Sequence, residues 1–208
     1  MSEVTPKLSM VIPTYTITQE LENIAIWACE SYREQVDEMI ITEDGGMFSP
    51  GLCRLADIYI RSKNNLGFTK NVNRGWMNSN GDFTAIVNSD TFLNKGKLYD
   101  LCIPGKATSP HVKNMGMDFL CGSFFVVPRE IKESRGMLLE ELKTYCSDSE
   151  YDARVRDVYQ KVPSVVIYHH AAKTVEAMKG LQNFDDEQEL AKDRETYAKL
   201  IKEGRASG

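Results

Sequence analysis

Up to Asp90 the chain alternates short apolar runs with stretches of helical spacing. Leu8-Ser9-Met10-Val11-Ile12 is an apolar run stopped by Pro13, which predicts a buried strand. Over residues 18–35, Leu21, Ile24, Ala25, Ala28 and Cys29 share one face, the spacing of a helix that Thr18 is suited to cap. Glu38-Met39-Ile40-Ile41-Thr42 predicts a second strand, ending at Glu43-Asp44-Gly45-Gly46, and Ile58-Tyr59-Ile60-Arg61 a third. Asn64-Asn65-Leu66-Gly67-Phe68 reads as a turn, residues 69–79 as a helix, and residues 83–87 as a strand entered through Gly81-Asp82 and left through Asn88-Ser89-Asp90. The order β-α-β-(α)-β-α-β predicts a parallel, Rossmann-like sheet with helices on its faces.

The second half is less regular. Residues 94–117 carry Gly96, Pro104, Gly105, Pro110 and Gly116 and read as a loop-rich excursion that includes His111. Residues 119–127 predict a strand pair or a bulged strand broken at Gly122. Helices are predicted over 129–145 and 149–161, and a late strand over 165–168, closed by His169-His170. Residues 184–203 predict a charged helix whose acidic start and basic end suit the helix dipole. With no repeat and no linker, residues 1–208 read as a single domain.

Composition narrows this picture modestly. With 208 residues, 42% apolar and 26% charged, the chain can bury a real core. A net charge of −5 argues against whole-surface nucleic-acid binding but leaves a local basic groove open. Five scattered cysteines without a CxxC pair argue against zinc and suit a reducing compartment. The first seven residues lack a signal pattern, and no apolar run approaches the length of a membrane span. A cytoplasmic protein is the expectation.

Three predicted parallel strands end in polar residues: Thr14-Tyr15-Thr16, Glu43-Asp44-Gly45 and Asn88-Ser89-Asp90. In open α/β sheets ligands bind outside the carboxyl ends of the strands, so side-by-side polar tips suit a nucleotide. A carboxylate such as Asp90 there suits a hard divalent cation, and the cation suits phosphates. Taken alone, each tip is also good turn chemistry.

The motifs in sequence order resemble family 2 glycosyltransferases with the GT-A fold. Ser9-Met10-Val11-Ile12-Pro13-Thr14-Tyr15 resembles their opening strand, and Glu43-Asp44-Gly45 their second-strand acidic motif. Asn64-Asn65-Leu66-Gly67-Phe68 with Asn73-Arg74-Gly75 resembles their Asn-x-Gly segments. Asn88-Ser89-Asp90 occupies the place of their Asp-x-Asp motif, and Gly122-Ser123 that of a Gly-rich strand on the acceptor side. Ser147-Asp148-Ser149-Glu150-Tyr151 with Arg154 resembles an acidic motif followed by Arg, and His169-His170-Ala171-Ala172-Lys173-Thr174 a His-His-x-x-x-Thr segment. The resemblance runs from about residue 8 to 175. It implies a mixed, mostly parallel GT-A sheet flanked by helices. A nucleotide-sugar half would span residues 8–90, an acceptor and catalytic half 91–180, and a charged C-terminal helix 181–208.

The resemblance also assigns roles. Pro13, Thr14, Tyr15, Glu43, Asp44, Asn65, Gly67, Asn73, Asn88 and Ser89 would contact the nucleotide sugar. Asp90 and His169 would bind Mn or Mg, with His169 chosen over its neighbour His170. Gly122, Ser123 and Glu150 would face the acceptor. Asp148 would be the base that takes the acceptor's proton in an inverting displacement. Read from the residues alone, Ser147 or Asp148 could instead cap a helix, with Glu150 completing a capping box. Two positions depart from the family pattern. Asn88 replaces the first acid of Asp-x-Asp, which predicts weaker cation affinity, and Val72 replaces a basic residue whose phosphate contact would pass to Lys70 or Arg74. The aromatics at 76, 119, 124, 125, 145 and 151 flank the expected cleft, where sugars would stack, although core packing explains most of them.

Uridine donors are the first expectation and thymidine donors the second. The acceptor is a carbohydrate, a protein side chain or a modified nucleic-acid base. A nucleotidyltransferase would carry a basic, Gly-rich loop where Pro13-Thr14-Tyr15-Thr16 stands. A non-catalytic sugar-binding module would need no base.

Overall fold

A computed structural model describes residues 6–113, 119–170, 173–179 and 185–207. The first half follows the predicted order: β1 (Leu8–Thr14), α1 (Gln19–Tyr32), β2 (Glu38–Asp44), α2 (Pro50–Leu55), β3 (Ile58–Ser62), α3 (Phe68–Met77) and β4 (Phe83–Val87). Thr18 caps α1 as its sequence suggests, its Oγ1 accepting from the Leu21 N–H at 3.2 Å. The second half contributes β5 (Thr91–Lys95), β6 (Ala107–Val112), β7 (Phe124–Pro128), α4 (Arg129–Arg135), α5 (Ser147–Val155), β8 (Tyr159–His169), α6 (Lys173–Lys179) and α7 (Asp186–Lys202).

All eight strands form one sheet in the order β3-β2-β1-β4-β7-β6-β8-β5. β3, β2, β1 and β4 run parallel, β7 is antiparallel to both β4 and β6, β6 and β8 are parallel, and β5 pairs antiparallel with β8. The mixed, mostly parallel sheet flanked by helices is the fold class that the sequence predicts. The central strands are buried on both faces, which explains their unbroken apolar runs. Alternate side chains sort to two layers. Val11, Ile40, Ile86 and Phe125 pack against Val72 and Trp76 of α3 and Tyr151 of α5. Met10, Ile12, Met39, Ile41 and Phe124 pack against Ala25, Cys29 and Tyr32 of α1.

Several boundaries differ from expectation. The excursion at 94–117 contains most of β6 and the end of β5, with 114–117 outside the described residues. β5 is a short edge strand with exposed Asn94 and Lys95. In β6, Pro110 sits where the register with β8 shifts, the irregularity that accommodates a proline in a sheet. The strand expected from 119 begins only at Phe124, because two earlier amides bond to α5 instead. Leu120 N–H donates to Asp152 at 2.8 Å and Gly122 N–H to Asp148 at 3.1 Å. The helix expected over 129–145 stops at Arg135, where Gly136 turns the chain at φ +80°. The helix expected over 149–161 starts at Ser147 and yields to β8 at Tyr159, so the late strand is longer than 165–168. Phe184, Ala171 and Ala172, which belong to the predicted helix and the His-His segment, lie outside the described residues.

Candidate active site

Because β1, β2 and β4 are parallel neighbours, their carboxyl ends share one edge of the sheet. A cavity of about 350 Å³ opens there. From the first half, Pro13, Thr14, Tyr15, Asp44, Asn65, Gly67, Asn88, Ser89 and Asp90 line it. From the second half come Gly122, Ser123, Asp148 and His169. Phe68, Asn71, Cys121, Thr144, Tyr145, Cys146, Ser147 and Met178 complete the wall.

Asp44 and the Asn65–Gly67 turn form one unit. The Asp44 carboxylate accepts from the Leu66 N–H at 2.7 Å and the Gly67 N–H at 3.0 Å, and Asn65 Oδ1 accepts from Gly67 at 2.9 Å. Burial pushes the Asp44 carboxyl above its usual range, while the two N–H donors and the Arg74 charge oppose the rise. Gly67 sits at φ 91°, ψ 160°, a region essentially restricted to glycine. A Cβ there would lie 2.5 Å from Lys143 Cγ and 2.9 Å from the Lys143 carbonyl oxygen. Gly67→Ala is therefore expected to cost on the order of 2–3 kcal/mol. In a chain of this size that is a fall in melting temperature of about 4–12 °C, readable by calorimetry.

At the β4–β5 turn, His169 Nε2 stands 3.1 Å from Asp90 Oδ1, with both side chains largely buried. His170 faces the other way along β8, towards Tyr168, and gives only its backbone N–H to the Asp90 carbonyl at 2.8 Å. Two ligands of one octahedral cation, each about 2.1 Å from it, stand about 3 Å apart. The Asp90–His169 separation fits that bite. Asn88 Oδ1 is buried and has no hydrogen-bond partner among the described residues, an acceptor suited to a ligand hydroxyl. Among the described residues no cluster of three or more His, Cys, Asp or Glu could hold a metal.

Asp148, which lines the same cavity, lies in the first turn of α5. Its carboxylate accepts from the Gly122 N–H at 3.1 Å and the Ser149 N–H at 2.8 Å. The residue before the helix is Cys146, in a left-handed conformation at φ 62° with no side-chain cap. The capping box open to the sequence does not form, because Glu150 turns to Arg154. Gly122 makes room for the carboxylate: a Cβ there would lie 3.1–3.4 Å from Asp148 atoms. Cys121 and Cys146 flank the same spot, and burial and nearby carboxylates push both thiols up. They are thus poor nucleophiles.

Three predicted contacts need correction. Glu43 is fully buried and turns away from the cavity; it accepts from Thr14 Oγ1 and Thr16 Oγ1, both at 2.8 Å, and from the Gly46 N–H at 2.9 Å. It braces the loop after β1. Asn73 is buried on α3 and donates to the Leu138 carbonyl at 2.9 Å. Glu150 is buried against Arg154 at 2.7 Å and does not line the cavity. Of the flagged aromatics, only Tyr145 lines the cavity, while Trp76, Phe124, Phe125 and Tyr151 are core. The sequence did not single out Asn71, Thr144 or Met178; they stand in an amphipathic helix, a structureless segment and a short helix, none with a motif.

The carboxylates Asp44, Asp90 and Asp148 line the cavity, and among the described residues no Lys or Arg does. This strand-tip crevice over a mixed sheet defines a GT-A type of nucleotide-sugar fold. The chain belongs to glycosyl transferase family 2, whose pattern it matches over residues 9–135, more than half its length. Its fold is similar to that of the mannosyltransferase PcManGT from Pyrobaculum calidifontis, in complex with GDP-Man and Mn2+. That likeness has a TM-score of 0.60 at 14% identity, over 96% of this chain and 76% of the other. TarS from S. aureus in complex with UDP gives 0.60 at 15% identity, over 88% and 68% of the two chains. Glucosyl-3-phosphoglycerate synthase from Mycobacterium tuberculosis, with Mn2+, UDP and glucosyl-3-phosphoglycerate, gives 0.62 at 14%, over 95% and 79%. No curated protein sequence matches the chain. Among the described residues no helix is long and apolar enough to cross a membrane.

Proposed function

We propose that the protein transfers a sugar from a nucleotide-sugar donor to an acceptor hydroxyl with inversion at the anomeric carbon and with a divalent cation bound. The observation that carries this reading is one cavity lined by both the Asp90–His169 pair and Asp148. The strand tips at Thr14 and Asp44 take the base and ribose, and Asn88 Oδ1 accepts from a donor hydroxyl. Asp90 and His169 would hold Mn or Mg, whose charge stabilises the departing diphosphate. An acidic wall makes that charge necessary, since a diphosphate facing three carboxylates is otherwise repelled. Asp148 takes the proton of the acceptor hydroxyl as its oxygen attacks the anomeric carbon from the face opposite the diphosphate. One bond forms as one breaks, so the configuration inverts.

Uridine donors remain the first candidates and thymidine donors the second; PcManGT adds GDP-sugars to the set to be tried. A carbohydrate, protein side chain or modified nucleic-acid base is the acceptor class. Release of nucleoside diphosphate across a panel of UDP-, dTDP- and GDP-sugars, with Mn2+, Mg2+ or chelator, tests the reading. One donor should dominate, chelation should stop release, and proton NMR of the product should show the inverted anomer. Retained configuration or cation-independent transfer counts against it.

A further inference from the structure

We propose that Asp193, on α7 and beyond the family-matched residues, is a positioning residue for the catalytic base. Its carboxylate sets the loop that carries Asp148 into the cavity. The inference rests on the reading of Asp148 as the base.

α7 is highly charged, yet Asp193 and Leu200 are its two buried residues. A carboxylate stays buried only when its oxygens are paired. Asp193 accepts three backbone N–H groups: Lys143 at 3.1 Å, Thr144 at 2.8 Å and Tyr145 at 2.7 Å. Residues 136–146 form no helix or strand, so their amides need outside partners. The segment's other side is fastened to α3. The Thr69 N–H donates to the Lys143 carbonyl at 3.3 Å, the Thr69 hydroxyl to the Leu142 carbonyl, and Asn73 to the Leu138 carbonyl at 2.9 Å.

The clamped stretch runs straight into the active site. Thr144, Tyr145, Cys146, Ser147 and Asp148 line the cavity one after another. Cys146, next after the last clamped amide, holds φ 62°. An L residue keeps that disfavoured conformation only where its surroundings fix it. Asp193 on one side and the α5 helix on the other supply that fixation, and the Gly122 and Ser149 amides then meet the Asp148 carboxylate. An amide at position 193 would turn an NH₂ towards one of the three donors.

Asp193→Asn tests this, with Glu195→Gln, exposed on the same helix, as control. Hydrogen exchange by NMR needs no knowledge of the donor. Amides 143–145 should exchange at least about tenfold faster in Asp193→Asn, and so should Gly122 and Ser149, with β1 protected as in the parent. With the active donor, kcat should fall about 10- to 100-fold while donor KM stays within about twofold. Unchanged exchange at Gly122 and Ser149, or unchanged kcat despite faster exchange, overturns the proposal and leaves Asp193 as an anchor for α7 alone. Loss of β1 protection would mark general unfolding; Asp193→Glu, which keeps the charge, must then restore both kcat and exchange, or the proposal fails. If Asp148→Asn retains turnover, the base assignment fails separately, and the exchange pattern still judges the clamp.

Discussion

Asp148→Asn should lower turnover by about 100-fold or more while nucleotide affinity and melting temperature change little. The substitution is nearly isosteric. The Asn oxygen still accepts one of the two backbone N–H groups, from Gly122 or Ser149, that the carboxylate accepts now. The other bond is lost at the rim of the cavity, where water can replace it, so the stability cost is about 1 kcal/mol. Basicity is lost entirely, because an amide does not take a proton from a hydroxyl near neutral pH. Glu150 cannot take over. It lies in the core, ion-paired with Arg154 at 2.7 Å, and burial pushes its carboxyl up. Steady-state transfer rates and calorimetric titration of the nucleoside diphosphate separate the two effects. Near-normal turnover in the Asn variant would falsify the assignment of Asp148 as base.

The parts of the site on regular strands were legible in the sequence, and those created by packing were not. The tips of β1, β2 and β4 stand out because an unbroken apolar run ends abruptly in polar residues, and parallel pairing carries all three to one edge. Within a tip the sequence does not say which way a side chain points. Glu43 and Asp44 are adjacent on a strand, so they face opposite sides, and only Asp44 reaches the cavity. The same alternation separates His169 from His170, and His169 is the one that faces Asp90. β5 and β6 were hidden because their Thr, Asn, Lys and Pro residues spell a loop; they are strands through their pairing with β8. The wall at Thr144 and Tyr145 is held by Asp193, 49 and 48 residues away. In the sequence Asp193 is one charge among many on a charged helix, and no periodicity distinguishes it.

Asp90→Ala should abolish cation-dependent binding of the donor's nucleoside diphosphate and leave the fold in place. Asp90 is the one carboxylate at the β4–β5 turn, and a hard cation prefers charged oxygen to any neutral group there. Its Oδ1 faces His169 at 3.1 Å, and among the described residues its Oδ2 accepts a long bond from the Lys173 N–H, at 3.3 Å. The turn itself is fixed by backbone bonds that the substitution spares. The His170 N–H donates to the Asp90 carbonyl at 2.8 Å, and the Thr91 N–H to the Asn88 carbonyl at 3.2 Å. His169→Ala should weaken the same binding by about 10-fold or more, since it removes the neutral half of the pair. Asn88→Asp should act in the opposite direction, because a second carboxylate beside Asp90 raises the charge offered to the cation. Calorimetric titrations with Mn2+ and with chelator, run on all three variants, read these effects directly. Unchanged Mn2+-dependent affinity in Asp90→Ala would place the cation elsewhere. Because Asp44 and Asp148 still line the cavity, loss of the cation should leave the diphosphate facing uncompensated negative charge. The residual affinity of Asp90→Ala should therefore match that of the parent protein in chelator and should no longer respond to Mn2+.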